Sequence, residues 1–460
     1  MVGRKPSLFP RGKKKPSAPK VEEDSVKREV SAPAEQPDEE ILDRPAPPKR
    51  VKNKRKPRVK RGVKPSAPQE QLSTEDKRVL RRRRQRRRVV VRIAILVAVV
   101  TLGVVVWLNW SVLAPDKLWA WILDLVGGGT GSYPVELSGT GARRLEQVDS
   151  YTVVLTDSHV VYLNASGAEV SRYGCTYANA LVRAEGKYLL VAEQDGKRLM
   201  LSTRDDVVTE WKNDDTTLRT IRAVSLNAEG RFAVLTDGPQ GYLVQLCVYN
   251  EEGKLLYTRN SNRNVIDVAL SPDGTTVSLT AVEVVDGTLN TRLETFSLSS
   301  GSNDPQCSYV AEDTLLYRID YLSGGVVAAV HEQGLVLMNS QTGKTTLYDP
   351  AGMHVLGYAV SGDSVALAMR PYGDTSGGVV EVLTADGVVS CDVAFTGEFR
   401  HLSGSFGQYA LLTDGYVQVV SLAGDQGTAT VPADGRQAVV ADGKAVVMGR
   451  NQLNVYTVKR

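Results

Sequence analysis

The stretch VIDVALSPDGTTVSLT, residues 265–280, decides the fold. Two runs rich in Val, Ile, Leu and Thr flank Ser271-Pro272-Asp273-Gly274. β-branched residues fit a pleated strand, Pro presets a turn φ, and Gly takes backbone angles that side chains resist. The unit therefore reads strand–turn–strand. The second run is apolar at both parities and too short for a helix, so it reads as a strand buried on both faces.

The same unit recurs in both directions from this point. Equivalent turns are Asp149-Ser150, Glu185-Gly186, Glu229-Gly230, Gly324-Gly325, Gly362-Asp363, Phe406-Gly407 and Asp442-Gly443. The steps between successive turns are 36, 44, 44, 51, 38, 44 and 36 residues. Their mean is about 42, inside the roughly 40–50 residues of a four-stranded propeller blade. A short apolar strand follows each turn, among them YTVVLT, KYLLVAE, RFAVLT and QYALLT. A second series of turns closes each third strand: Ser166-Gly167, Asp205-Asp206, Glu252-Gly253, Ser300-Gly301, Thr342-Gly343, Asp386-Gly387 and Asp425-Gln426. It has seven members, because the chain ends on a third strand, NQLNVYTV at 451–458. Residues 134–137 can supply the missing fourth strand and remove an exposed edge. The expectation is an all-β, eight-bladed β-propeller over 133–460, with seven blades as the alternative. Eight turns in one period argue against a pair of β-sandwiches.

The strand and turn VIDVAL-SPDG are similar to those of WD-repeat-like and TolB-like propellers, without the Trp-Asp and Gly-His signatures of true WD repeats. The whole layout, with an Arg-rich segment and one transmembrane helix before a propeller, resembles a family of Firmicute membrane proteins known as a domain of unknown function. The resemblance covers about residues 77–460 and implies no catalytic residues.

Charge divides the chain. Residues 1–88 hold 29 of the 56 Lys and Arg and 12 of the 52 Asp and Glu, leaving 27 and 40 for the remainder, so the parts carry +17 and −13. Twelve of the twenty prolines also precede residue 89, with Phe9 as the one aromatic there. Such a segment buries too little apolar surface to offset its ordering entropy, so residues 1–76 are expected to be a disordered basic tail.

Residues 93–113, IAILVAVVTLGVVVWLNWSVL, carry no charge. About 20 apolar residues span the hydrocarbon core, and no polar stripe marks this run as a soluble helix. It reads as a retained signal anchor. Residues 77–92 hold ten Lys and Arg, including Arg81, Arg82, Arg83, Arg84, Arg86, Arg87 and Arg88, whereas the 25 residues after Leu113 hold Lys117 alone. The positive-inside rule then predicts a plasma-membrane protein with a cytoplasmic N-terminus and an extracytoplasmic propeller. The arginines would meet anionic lipid headgroups of the bilayer, at about 1 kcal/mol each, which makes nucleic acid the less favoured partner. Residues 114–132 read as an interfacial helix, DKLWAWILDLV, followed by a glycine linker.

No chemistry stands out. There is no GxSxG motif, no zinc spacing and no phosphate loop, and the histidines (His159, His331, His354, His401) fall in separate blades. No cofactor is expected. Cys175, Cys247, Cys307 and Cys391 lie far apart in sequence and read as buried thiols. The first strands, such as ALVRAEG and VSLNAEG, look mostly apolar, which weighs against the alternative of an envelope hydrolase or lyase using carboxylates in the propeller channel. The favoured expectation is a non-enzymatic binding or scaffolding module with a protein or glycan partner. Antiparallel blades put the longer loops at one end, and long loops on a rigid scaffold carry binding. Insertions at 237–241, 284–289 and 371–378 make Asp237, Gln240, Arg370, Tyr372 and Asp374 the candidate binding face. Tyr133 and Arg460 are expected together at the opposite end.

Overall fold

A computed structural model describes residues 131–212, 219–300, 302 and 304–459. The apolar run 93–113, the tail and the arginine cluster lie outside the described residues. Within them there is no helix, and so none long and apolar enough to cross a membrane.

Eight four-stranded antiparallel sheets form the blades. Blades 1 to 7 span residues 144–174, 180–211, 221–261, 264–311, 318–348, 353–396 and 399–430. Blade 8 combines three strands from 437–456 with the strand Val135–Glu136. Val135 lies opposite Leu453 and Glu136 opposite Gln452, and Leu137 N donates to Asn451 O at 2.7 Å. The ring is thus closed by the start of the propeller, and the sheet edge that blade 8 would expose is paired.

The innermost strands are Arg144–Val148, Ala180–Glu185, Ile221–Leu226, Asn264–Leu270, Arg318–Tyr321, Met353–Ser361, Phe399–Ser405 and Gln437–Ala441. Every short apolar run read from the sequence is the second strand of its blade. These strands are buried on both faces, as in Tyr151–Leu155 and Phe232–Asp237. Each faces a neighbouring blade on either side, which is why both parities are apolar.

Among the described residues the core divides into eight apolar clusters, one at each junction between blades. Phe232, fully buried between blades 2 and 3, stacks on Tyr249 at 5.2 Å and meets Trp211 edge-on at 6.0 Å. Tyrosine hydroxyls bridge several junctions: Tyr162 to Ser202 at 3.0 Å, Tyr321 to Ser278 at 2.7 Å and Tyr409 to Ser364 at 2.7 Å. A buried hydroxyl needs such a partner, so each bond fixes the azimuth of one blade on the next. The four cysteines are buried and unpaired.

Two turn assignments differ from expectation. The third turn of blade 7 is at 422–423, because Gly424 already begins the fourth strand, Asp425 pairs with Val420 and a register shift absorbs Gln426. The insertion at 284–289 is a lengthened hairpin, with ten-residue strands Thr276–Val285 and Thr288–Ser297. Asp286 (φ 51°) and Gly287 (φ 82°) close it, both left-handed as a two-residue hairpin turn requires.

Candidate functional site: a charged channel between a turn end and an apolar loop end

Strand direction gives the propeller two ends. At one end lie the turns joining first to second and third to fourth strands. Asn164, Asn250 and Asn339 open third turns there, and each side-chain carbonyl accepts backbone N–H groups two to four residues on. Asn227 does the same for Glu229 and Arg231, and its Nδ2 donates to Pro272 O in blade 4 at 3.3 Å. Arg231 Nη1 reaches Gly274 O of that blade at 3.0 Å. Tyr133 packs beside Gly167, in the third turn of blade 1, so the chain enters at the turn end. Arg460 lies outside the described residues; Lys459 pairs with Thr428 on the outer strand of blade 7.

At the other end lie the second-to-third loops and the links between blades. All five candidate residues are here. Asp237 forms an ion pair with Arg222 on the innermost strand of blade 3, at 2.7 Å. Arg370 Nε donates to Gly377 O at 2.8 Å, stapling its own loop. Asp374 Oδ1 accepts from Ser376 N at 2.8 Å, which holds its carboxyl below the ordinary aspartate range. These three shape loops. Gln240 and Tyr372 face solvent, and the Tyr372 ring lies 5.1 Å from that of His354.

An apolar arc runs through the same end. Tyr242 and Leu243 of blade 3 are 46% and 54% exposed. Val284, Val285 and Leu289 at the tip of the long hairpin follow in blade 4, then Leu315 and Tyr317 in the link to blade 5, and Tyr372 in blade 6. Exposed Leu and Val on consecutive blades are not explained by turn geometry. Tyr372 belongs both to this arc and to the expected binding face, and Val284, Val285 and Leu289 fall in the insertion at 284–289, whereas Tyr242, Leu243, Leu315 and Tyr317 lie outside the three insertions.

The innermost strands correct the expectation of a mostly apolar channel. Arg144 and Glu146, Arg183 and Glu185, and Arg318 and Asp320 occupy blades 1, 2 and 5. Asp267 and Tyr358 join them from blades 4 and 6. Asp267, only 1% exposed, accepts from Ile319 N at 3.0 Å and sits 3.5 Å from Arg318. Tyr358 donates to Asp320 at 2.7 Å. Burial raises the Glu146 carboxyl to about 7 against the pull of Arg144 and Arg183. Burial, with Asp320 adding to it, raises Glu185 to about 7, although solvent reaches this side chain. His401, on the innermost strand of blade 7, is pushed down to about 4 by burial and accepts from Ala438 N. Three of these strands carry an arginine and an acid two residues apart, and ring closure turns all of the innermost strands toward one axis.

Among the described residues no group of three or more His, Cys, Asp or Glu is placed to hold a metal ion. Residues 132–455 match a family described as a family of unknown function, DUF5711. The chain belongs to this family. No curated protein matches it. Solved structures similar to this DUF5711 chain include BamB from Moraxella catarrhalis, at 12% identity and a TM-score of 0.43, covering 71% of this chain and 99% of that one. A eukaryotic initiation factor gives 14% and 0.45, over 72% and 88%. The Pan2 WD40 domain of Neurospora crassa gives 9% and 0.40, over 70% and 91%.

Proposed function

We propose that this DUF5711 protein is a membrane-anchored docking platform whose loop end binds a protein partner outside the cytoplasm. The observation that carries the reading is the arc of Tyr, Leu and Val side chains on blades 3 to 6. An exposed apolar patch marks an interaction surface, and tyrosines are among the residues that carry most of the energy of protein recognition. Tyr242, Tyr317 and Tyr372 have the rigid, amphipathic side chains favoured at such surfaces. The uncharged run 93–113 and the arginines before it support anchoring, with residues 1–92 on the cytoplasmic side and headgroup contacts at Arg81–Arg88. Entry of the chain at the turn end leaves the loop end facing away from the bilayer.

The test is site-specific photo-crosslinking in intact cells. Probes replacing Tyr242, Tyr317 and Tyr372 should capture one common protein, and a probe at the turn-end Phe406, 66% exposed, should not. Capture from Phe406 with nothing from the other three would refute a loop-end platform. External protease should digest the propeller and spare the tail; the reverse pattern would refute the orientation.

A second reading, an enzyme using channel carboxylates, draws on Glu146 and Glu185, held near neutrality where acids and bases work. Arg318, Asp267, Tyr358 and Asp320 are tied to one another, which favours a fixed site over a reacting one.

A further inference from the structure

The junction of blades 8 and 1 differs from the rest. The outer strands of blades 1 to 7 have four to eight residues, whereas blade 8 is closed by the two residues Val135–Glu136. So short a strand leaves the facing side of blade 1 incompletely covered. A cavity of about 360 Å³ opens there. Its floor is Val135, Leu137, Val154, Val161 and Leu163, all from the apolar cluster of this junction. It is lined from Gly167, at the turn end, to His159, at the loop end.

The polar side chains at its rim are already matched. Arg172 Nη2 donates to Glu169 Oε2 at 2.6 Å, Gln452 Nε2 donates to Glu136 at 2.8 Å, and Ser158 Oγ lies 2.7 Å from His159 Nδ1. A site for a polar small molecule presents a few convergent groups to orient it. Here those groups are tied to one another, and what the cavity offers is apolar surface.

The chain itself carries apolar surface to the same place. Gly131 lies on the backbone of Gly167 and Ala168, so closely that a Cβ on it would overlap them. The residues before it therefore start at the mouth of the cavity. The segment DKLWAWILDLV, residues 116–126, ends five positions earlier, and five residues reach at most about 18 Å. Leu118, Trp121, Ile122 and Leu125 recur at spacings of three and four, the pattern of a single apolar face. A short glycine tether sets an effective concentration on the order of millimolar, so even a weak contact is occupied.

We propose that residues 116–126 dock in the groove between blades 8 and 1, with Trp121 in the cavity. The segment then braces the two-residue closure of the ring from outside, instead of lying in a bilayer interface. This goes beyond the loop-end platform and does not depend on it.

Photo-crosslinking within the full-length protein in cells tests the proposal. A benzophenone side chain replaces Arg172, at the rim of the groove, or Ala165, in the turn that carries Gly167. Both positions are exposed, and an exposed ion pair such as Arg172–Glu169 contributes little, so both probes leave the propeller folded. The Arg172 probe should join to 116–126 at several times the yield of the Ala165 probe. Trp121→Ser, outside the propeller, should lower that yield to the Ala165 level. Equal yields from the two probes would mean a tether without a docking site. A product with lipid alone would place the segment in the bilayer, and a product with another protein alone would give the groove to a partner. Any of these three results overturns the proposal.

Discussion

The two ends of the propeller use their residues differently. At the turn end, side chains are spent on the fold: Asn164, Asn227 and Asn339 hold their own turns, and Arg231 reaches into the next blade. At the loop end, polar side chains tie down loops while Tyr242, Leu243 and Tyr317 form part of an exposed arc over several blades; exposed apolar residues at the turn end, such as Phe406 and Val388, lie in turns. An end built for geometry should be intolerant of substitution and indifferent to partners, and the other end the reverse.

The largest effect is expected at the turn end. Gly230 has φ 82°, and a Cβ there would lie 2.6 Å from the buried Tyr188 ring. Gly230→Ala combines a left-handed backbone with a steric clash and should cost about 3 kcal/mol, read as a lower denaturant midpoint. A cost below about 0.5 kcal/mol, the range of ordinary surface changes, would break the contrast between the ends.

An intermediate effect is expected in the channel that joins them. The Glu146 carboxyl rises from 4.5 to about 7 on folding. The folded protein then binds more protons than the unfolded chain between those values, so this group favours folding fully below 4.5 and loses its contribution as pH rises through 7. His401 acts oppositely: lowered from 6.5 to about 4, it is stabilising above 6.5 and costs stability as pH falls toward 4. Glu146→Gln should lessen the fall in stability between pH 5 and 8, by an amount on the order of 1 kcal/mol given the water that reaches this side chain, with Glu185, also raised to about 7, accounting for a further part. Denaturant midpoints at the two pH values measure it, and an unchanged slope would mean that Glu146 is not held in its protonated form.

The smallest effect on stability belongs to the loop end. Tyr242→Ala with Leu243→Ser should shift stability by less than about 0.5 kcal/mol, since both side chains are about half exposed. A loss comparable to that of Gly230→Ala would assign these residues to the core.

The architecture was legible because its signals are local. Each blade repeats a turn whose Gly or Asp takes a positive φ and a second strand buried on both faces, as in Gly274 before Thr276–Val285 and Gly443 before Lys444–Met448. The long hairpin was misread although its Asp286-Gly287 turn is itself a strong hairpin signal; the apolar strand ends looked like an insertion. The channel was not legible. Arg183 and Asp267 are 84 positions apart and belong to blades 2 and 4, so nothing in either strand announces the other. Arg370 and Asp374 looked available in sequence because their partners, Gly377 O and Ser376 N, are backbone groups invisible to a reading of side-chain types.

The strand Val135–Glu136 gives the molecule a mechanical axis. Everything before residue 131 is joined to the propeller through it, and it lies antiparallel to the last strand of the ring. A pull on the preceding chain, resisted by a partner held at the loop end, runs along this strand. The load then falls on its hydrogen bonds together, in shear, instead of peeling them one after another. Were the propeller tethered and held as proposed, a seal only two residues long would resist tension best along this strand.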